Sequence, residues 1–317
     1  MKVLLLGANG FGFEHAKSYK KMGIEFSVFS RNRDVLKEYC QNYGVKETYS
    51  DISEAINSQY DVADMVLPHT MHREYAHKAM KMGRHVLIEK PISTSLEDAN
   101  AIIRDSKENN VKFMVAEQFY FDSSARKVEK MIKEGKLGKI LTVITRSQQI
   151  FQLKGWRQSE KEMGGGGLID GGIHYLQTFL DFGGKYTEVK SLVNKGKSSI
   201  EGEDNSLGIF KFDSGASGLF YYSWAYDHPP RVPKYEVIGS DGSIYEGTSE
   251  GNGGKRVSYG QPLFNGKKIN VDEVDVIDAE ISGFLHAVER DEEVPYKPEI
   301  ALRNLKAVLD IYNNQIK

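Results

Sequence analysis

One cysteine, Cys40, occurs in 317 residues, so no internal disulfide is available and the chain is expected to work in a reducing compartment, the cytoplasm. Net charge is almost absent as well: 42 Lys and Arg against 44 Asp and Glu leave a formal −2. No basic cluster stands out beyond solvated helix faces such as 126–133, so a nucleic-acid partner is not expected. No stretch approaches the roughly 18 apolar residues of a membrane span. The apolar start MKVLLLG runs straight into a glycine loop and reads as a buried strand, not as a signal peptide. A Gly-x-Ser-x-Gly elbow is missing, and no cysteine or carboxylate cluster joins His69 and His72 at metal-ligand spacing. Nucleophilic hydrolysis and metal catalysis are therefore not expected.

What the chain does have is an ordinary globular composition, 40% hydrophobic and 27% charged, and length enough for about two domains with cores of their own. Its first third alternates short apolar runs with helical periodicity. Strands are predicted over 3–6, 25–29, 45–48, 62–67, 85–88 and 112–116, and helices over 11–22, 33–43, 53–57, 71–82 and 95–109. Gly23 and Gly44 close two of these helices, and Ser95 followed by Asp98 predicts a capped helix start. Such alternation implies right-handed crossovers and a doubly wound parallel sheet of Rossmann type. Beyond about residue 120 the pattern changes. A helix over 124–134 and a long strand over 140–150 precede strands in series over 187–193, 206–212, 216–225, 234–238 and 243–246. Helices over 279–290 and 299–314 close the chain. Strands without intervening helices predict a mainly antiparallel sheet and an α+β second domain. The expected boundaries are 1–119 and 120–317, with the last helix packing back on the first domain.

Four stretches carry chemistry. In LLLGANGFG, Gly7, Gly10 and Gly12 lie between the first strand and the first helix, where they allow a tight turn, close approach of backbone to a pyrophosphate, and close helix packing. The second strand ends in Ser30 and Arg31, with no carboxylate to hold a ribose 2′-hydroxyl. That favours NADP, while a reading of Arg31 as a solvated helix-start residue leaves NAD open. HVLIEKPIS places Glu89 and Lys90 at the carboxyl end of the fifth strand, which in such sheets faces the ligand crevice. GGGGLIDGGIHYL, residues 164–176, opens a helix with apolar residues at helical spacing, and puts Asp170 four residues before His174, one face of an α-helix. The bare backbone of the glycine run is expected to admit a ligand.

These motifs, with VLPHTMHREYAHKAMKMGRHVLIEKPIS, VAEQFYF, LGKI and GWR, occur in an order and spacing that resemble the glucose-fructose oxidoreductase / inositol dehydrogenase / rhizopine-catabolism family (Gfo/Idh/MocA). The resemblance runs from residue 1 to 184 and weakens toward the end. It implies a nucleotide-binding N-terminal domain, a C-terminal domain on an open antiparallel sheet, and reversible hydride transfer on sugars or cyclitols. It also implies a catalytic constellation carried here by Lys90, Asp170 and His174, and a homodimer or homotetramer formed through the C-terminal sheet. Cofactor contacts are expected at Gly7, Asn9, Gly10, Phe11, Gly12, Ser30, Arg31, Pro68, His69, His72, Glu89, Lys90 and Gln118. Substrate contacts are expected at Lys90, Tyr120, Arg157, Asp170 and His174, with Glu117 beside them. Gln118 departs from the family's usual asparagine in that segment.

The chemistry itself is simple. Oxidising a secondary alcohol sends a hydride to the nicotinamide and a proton to a base, and an imidazole, with an ordinary pKa of about 6.5, exchanges that proton at neutral pH. His174 is the expected acid/base, Lys90 the cation for the developing alkoxide, and Asp170 the group that orients the imidazole or binds a neighbouring hydroxyl. A non-catalytic nucleotide or sugar sensor on the same scaffold is the alternative.

Overall fold

In the computed structural model, residues 1–247 and 255–316 are described. Two compact units emerge: residues 1–117 with 277–302, and residues 118–276 with 303–317. The segment 277–302 thus clusters with the first unit, whereas the expectation was a second domain over 120–317 from which only the last helix packs back on the first.

The first unit begins with strand β1 (Lys2–Leu6), whose Val3, Leu4, Leu5 and Leu6 are wholly buried, as a central parallel strand covered on both faces must be. Helix α1 (Phe11–Met22), β2 (Glu25–Phe29), α2 (Arg33–Tyr43), β3 (Thr48–Tyr49), α3 (Ile52–Ile56), β4 (Val62–Met65), α4 (His72–Lys81), β5 (His85–Glu89), α5 (Leu96–Glu108) and β6 (Phe113–Ala116) follow. The six strands are parallel in the order β3-β2-β1-β4-β5-β6. Strand order reverses between β1 and β4, which opens a crevice at the carboxyl ends of those strands.

Local chemistry fixes the boundaries. Asn32 and Asp51 each accept two backbone N–H groups as N-caps of α2 and α3, and Ser95 Oγ accepts from Asp98 N at 3.1 Å. Gly23 and Gly44 close α1 and α2 in the left-handed conformation. One strand is displaced from its expected place: β3 is Thr48–Tyr49, not 45–48. Gly44 reverses the chain, and Val45 turns back to donate its N–H to Tyr39 O and bury its side chain, so it completes the helix terminus and cannot join the sheet.

The second unit holds α6 (Ser123–Lys133), β7 (Ile140–Gln148), a short α7 (Glu160–Met163), a π-helical turn (Leu168–Gly172), α8 (Ile173–Gly183), β8 (Tyr186–Asn194), β9 (Asn205–Phe212), β10 (Ser217–Ser223), β11 (Tyr235–Gly239), β12 (Ser243–Glu246), β13 (Pro262–Phe264) and β14 (Lys267–Lys268). Helices α9 (Val276–Glu289) and α10 (Pro298–Asn313) end the chain, and α10 belongs to this unit from Arg303 onward. The eight strands run β14-β13-β12-β11-β7-β10-β9-β8, antiparallel except for the β7–β10 pair. Strands β13 and β14, not expected from sequence, are joined by Asn265-Gly266, both with positive φ as a tight hairpin requires.

Helix α8 covers one face of this sheet. Phe179 meets Phe210, Phe212 and Phe220 with ring centroids 4.9, 5.3 and 5.8 Å away. Burying one such ring contributes about 1.5–3 kcal/mol, more than the ~1 kcal/mol a glycine costs a helix. The cluster therefore holds α8 in place despite the glycines at its start. On the opposite face Ile209, Leu219 and Ile144 form a cross-strand row, with Ile209 and Ile238 exposed.

Candidate active site

At the carboxyl edge of the parallel sheet, Gly7 has φ +112°, and a Cβ there would lie 2.1 Å from Val66 O. A Cβ on Gly12 would lie 2.1 Å from Gly7 O. Side chains are thus excluded by the protein's own backbone, which brings the first turn of α1 against the strand end. Tyr39 OH donates to Ala8 O at 2.8 Å and pins the loop from below, while Asn9 and Gly10 are exposed and Phe11 is half-buried. Exposed bare backbone at a helix N-terminus fits a dinucleotide pyrophosphate. Beyond β2, Ser30 is buried with its Oγ accepting from Asn32 N at 3.2 Å, and Arg31 is exposed.

Pro68 opens a short turn at His69–Met71, with His69 buried. His72 is completely buried, its Nδ1 2.9 Å from Pro91 O and its Nε2 3.1 Å from Leu67 O. Burial, reinforced by His69, pushes its pKa down to about 3, so the ring is neutral and its single N–H donates to one of these two carbonyls, in the loop after β4 or in the one after Lys90, while packing against the other. Glu89, Lys90 and Glu117 are all buried at the ends of β5 and β6.

Beneath these strand ends lies a cluster that sequence reasoning missed. His15 of α1, fully buried, places Nδ1 2.8 Å from Asp64 Oδ2 and Nε2 3.2 Å from Glu89 Oε1. Tyr19 OH donates to the same Asp64 oxygen at 2.7 Å. Glu280 of α9 completes the group, with one ligand-type atom each from His15, Glu89 and Glu280 within 4.8 Å of one another. Burial alone would lower the His15 pKa, but Asp64 and Glu89 outweigh it and hold the ring well above the ordinary imidazole value, as an imidazolium. Burial, with Glu89 nearby, raises the Glu280 carboxyl well above its usual range. No motif spacing announces this group, because its members come from α1, β4, β5 and α9.

In the second unit His174 sits in the first turn of α8, buried, its ring stacked on Phe119 at 4.6 Å and 15°. Phe119 meets Tyr175 and Tyr259 edge-on at 5.1 and 5.4 Å, which fixes the plane on which the imidazole lies. Asp170 belongs to the π-helical turn before α8, so the two residues do not share one regular α-helical face as the spacing predicts. The Asp170 Oδ1 accepts from Arg157 Nε at 3.2 Å, and the Arg157 guanidinium lies 4.6 Å from the centre of the Trp156 ring. Tyr120 lies 4.4 Å under the Arg126 guanidinium, which bonds Asp181 and Glu129. Gln118 is buried, its Oε1 without a hydrogen-bond partner among the described residues.

The glycine run has a different use from the one expected. A Cβ on Gly165 would meet Tyr312 OH at 2.5 Å, on Gly166 the Glu203 carbonyl oxygen at 2.0 Å, on Gly167 the Trp224 ring at 3.1 Å, and on Gly171 the Tyr222 OH at 2.0 Å. The space that a side chain would take is filled by the protein itself. Close packing beneath the helix, and not access for a ligand, requires these glycines.

Comparison with known proteins gives a consistent picture. Residues 1–117 match the model of an oxidoreductase family with an NAD-binding Rossmann fold, and residues 125–245 match the GFO/IDH/MocA C-terminal domain. The myo-inositol 2-dehydrogenase of Thermotoga maritima is 27% identical over 259 residues, 77% of this chain and 75% of that protein. Among solved structures, an oxidoreductase from Thermotoga maritima superimposes with a TM-score of 0.88 at 21% identity, covering 99% of this chain and 96% of the other. A levoglucosan dehydrogenase in complex with NADH and levoglucosan gives 0.83 at 19% identity, covering 99% and 96%. No helix among the described residues is long and apolar enough to cross a membrane.

Proposed function

The chain belongs to the Gfo/Idh/MocA oxidoreductase family, and from that premise we propose that it transfers a hydride between NADP and a secondary alcohol or ketone of a sugar, cyclitol or related polyol. The observation that carries this reading is the glycine turn at the carboxyl end of β1, at the reversal of strand order, with its side-chain space closed and its outer backbone bare. Ser30 and Arg31 after β2 support NADP, since neither can hold a 2′-hydroxyl as a carboxylate does and Arg31 suits a 2′-phosphate. The nicotinamide, when bound, accepts or supplies the hydride at C4. His174 takes or returns the hydroxyl proton at its imidazole, with the ring plane set by Phe119. Lys90 stabilises the oxygen as it gains negative charge, and Asp170, held by Arg157, orients the imidazole or binds an adjacent hydroxyl.

Absorbance of the reduced nicotinamide, followed with both cofactors over aldoses, ketoses, inositols and sugar lactones, tests the proposal. Turnover with at least one of these and preference for NADP are expected. Lys90→Ala and His174→Ala should each lower kcat by about 10²–10⁴-fold while cofactor affinity stays near wild type. Tight cofactor binding without turnover on any substrate would favour the sensor reading, and near-normal rates in either variant would overturn the residue roles. The free, exposed Cys40 is in keeping with a cytoplasmic setting, and the apolar row Ile209, Leu219 and Ile144 on the uncovered sheet face supports a homo-oligomer.

A further inference from the structure

Glu203, two residues before β9, lies directly under the glycine run. Its Oε1 accepts from Leu168 N at 2.8 Å and from Tyr312 OH at 2.9 Å, and its own carbonyl accepts from Gly167 N at 2.7 Å. The two chain segments touch backbone to backbone: a Cβ on Gly202 would lie 2.5 Å from Gly165 O, and one on Gly166 would lie 2.5 Å from Glu203 N. Leu168 is the first residue of the π-helical turn that carries Asp170 and leads into α8 and His174. The residue before it, Gly167, has no side chain with which to cap the turn, so the cap is supplied from the distant segment that leads into β9, by a carboxylate at a helix N-terminus.

We propose that Glu203, clamped between Leu168 and Tyr312, is a positioning residue for the turn bearing Asp170 and His174, and that its ionisation sets how firmly that turn is held. An ionised carboxylate accepts both bonds more strongly than a neutral carboxyl does. Burial, aided by the Glu160 charge, raises its pKa to about 7, while the Leu168 and Tyr312 bonds work in the opposite direction. The ionisable groups that act on it are thus Tyr312 of α10 and Glu160 of α7. Tyr312 stays a neutral donor, because burial and Glu203 push its own pKa well up. Trp224 and Ile169, which complete the packing around Gly165 and Gly167, carry no charge.

This inference rests on the catalytic reading only for its effect on rate, and the structural effect is read independently. The chain has two tryptophans, Trp156 and Trp224, and Trp224 lies against Gly167. Fluorescence of the full-length Trp156→Phe protein, titrated from pH 5 to 9, therefore reports on the turn. A transition near pH 7 is expected, lost in Glu203→Gln and moved to higher pH in Tyr312→Phe, which removes a bond that favours the charged form. In the Trp156-containing enzyme, kcat should fall below pH 7, and Glu203→Gln should lose that part of the fall with the cofactor KM unchanged. A flat fluorescence titration, or the same transition in Glu203→Gln, would overturn the proposal. Should no polyol be turned over, the fluorescence result still decides the role of Glu203, so the two readings fail separately.

Discussion

Replacing His15 with alanine tests the electrostatics beneath the nucleotide-binding edge most directly. The ring is fully buried between Asp64 and Glu89, at 2.8 and 3.2 Å, and both nitrogens are committed to carboxylates. Its removal leaves two buried acceptors without their cation, a change that costs about 3–5 kcal/mol when a buried ion pair is broken from one side. At roughly 2–4 °C per kcal/mol for a domain of 150 to 250 residues, the melting temperature should drop by on the order of 10 °C. Because the folded pKa of His15 is raised above its unfolded value near 6.5, its contribution is fully present below that value and is lost as pH rises through the folded one. The gap between wild type and His15→Ala, measured by circular dichroism melts, should therefore be widest at pH 6 and narrow in alkaline buffer. Glu280→Gln supplies the control, since an amide mimics the protonated carboxyl that burial favours there, so it should cost little or stabilise. A His15→Ala drop under about 3 °C at pH 6, where a loss of about 3–5 kcal/mol corresponds to roughly 6–20 °C, or a gap that widens with pH, would refute the assignment of an imidazolium.

Two further outcomes follow from the packing. Gly12→Ala would put a methyl 2.1 Å from Gly7 O and lever α1 off the glycine turn, so nucleotide affinity, read by fluorescence titration with NADPH, should fall at least about tenfold, together with ~1–3 kcal/mol of stability. Ile209→Asp places a charge on the uncovered face of the second sheet; if that face joins copies of the chain, light scattering should show a smaller particle with little change in the melting temperature of the monomer.

The parts legible in the sequence are those set by neighbours along the chain. The α1 and α2 helices and β2 fall where periodicity and the closing Gly23 and Gly44 put them, because a cap, a stop and an apolar repeat all act within a few residues. Even the missed hairpin β13–β14 carries its signal, Asn265-Gly266, in plain view. Long-range pairing is another matter. His15 and Glu280 meet across 265 positions, and neither is unusual where it stands, so only the fold reveals that four ionisable side chains share one buried volume with a tyrosine. The glycine run shows the same limit from the opposite side. Four missing side chains are obvious in GGGG, but what takes their place is not: Gly164 closes α7 in the left-handed conformation, and at Gly165, Gly166 and Gly167 the space expected for a ligand is filled by Tyr312, Glu203 and Trp224. A glycine records that something comes close. Whether that thing is a substrate or the protein's own backbone depends on residues 36 to 147 positions away, and here it is the chain itself that takes the room beneath the turn that carries Asp170 and leads into α8.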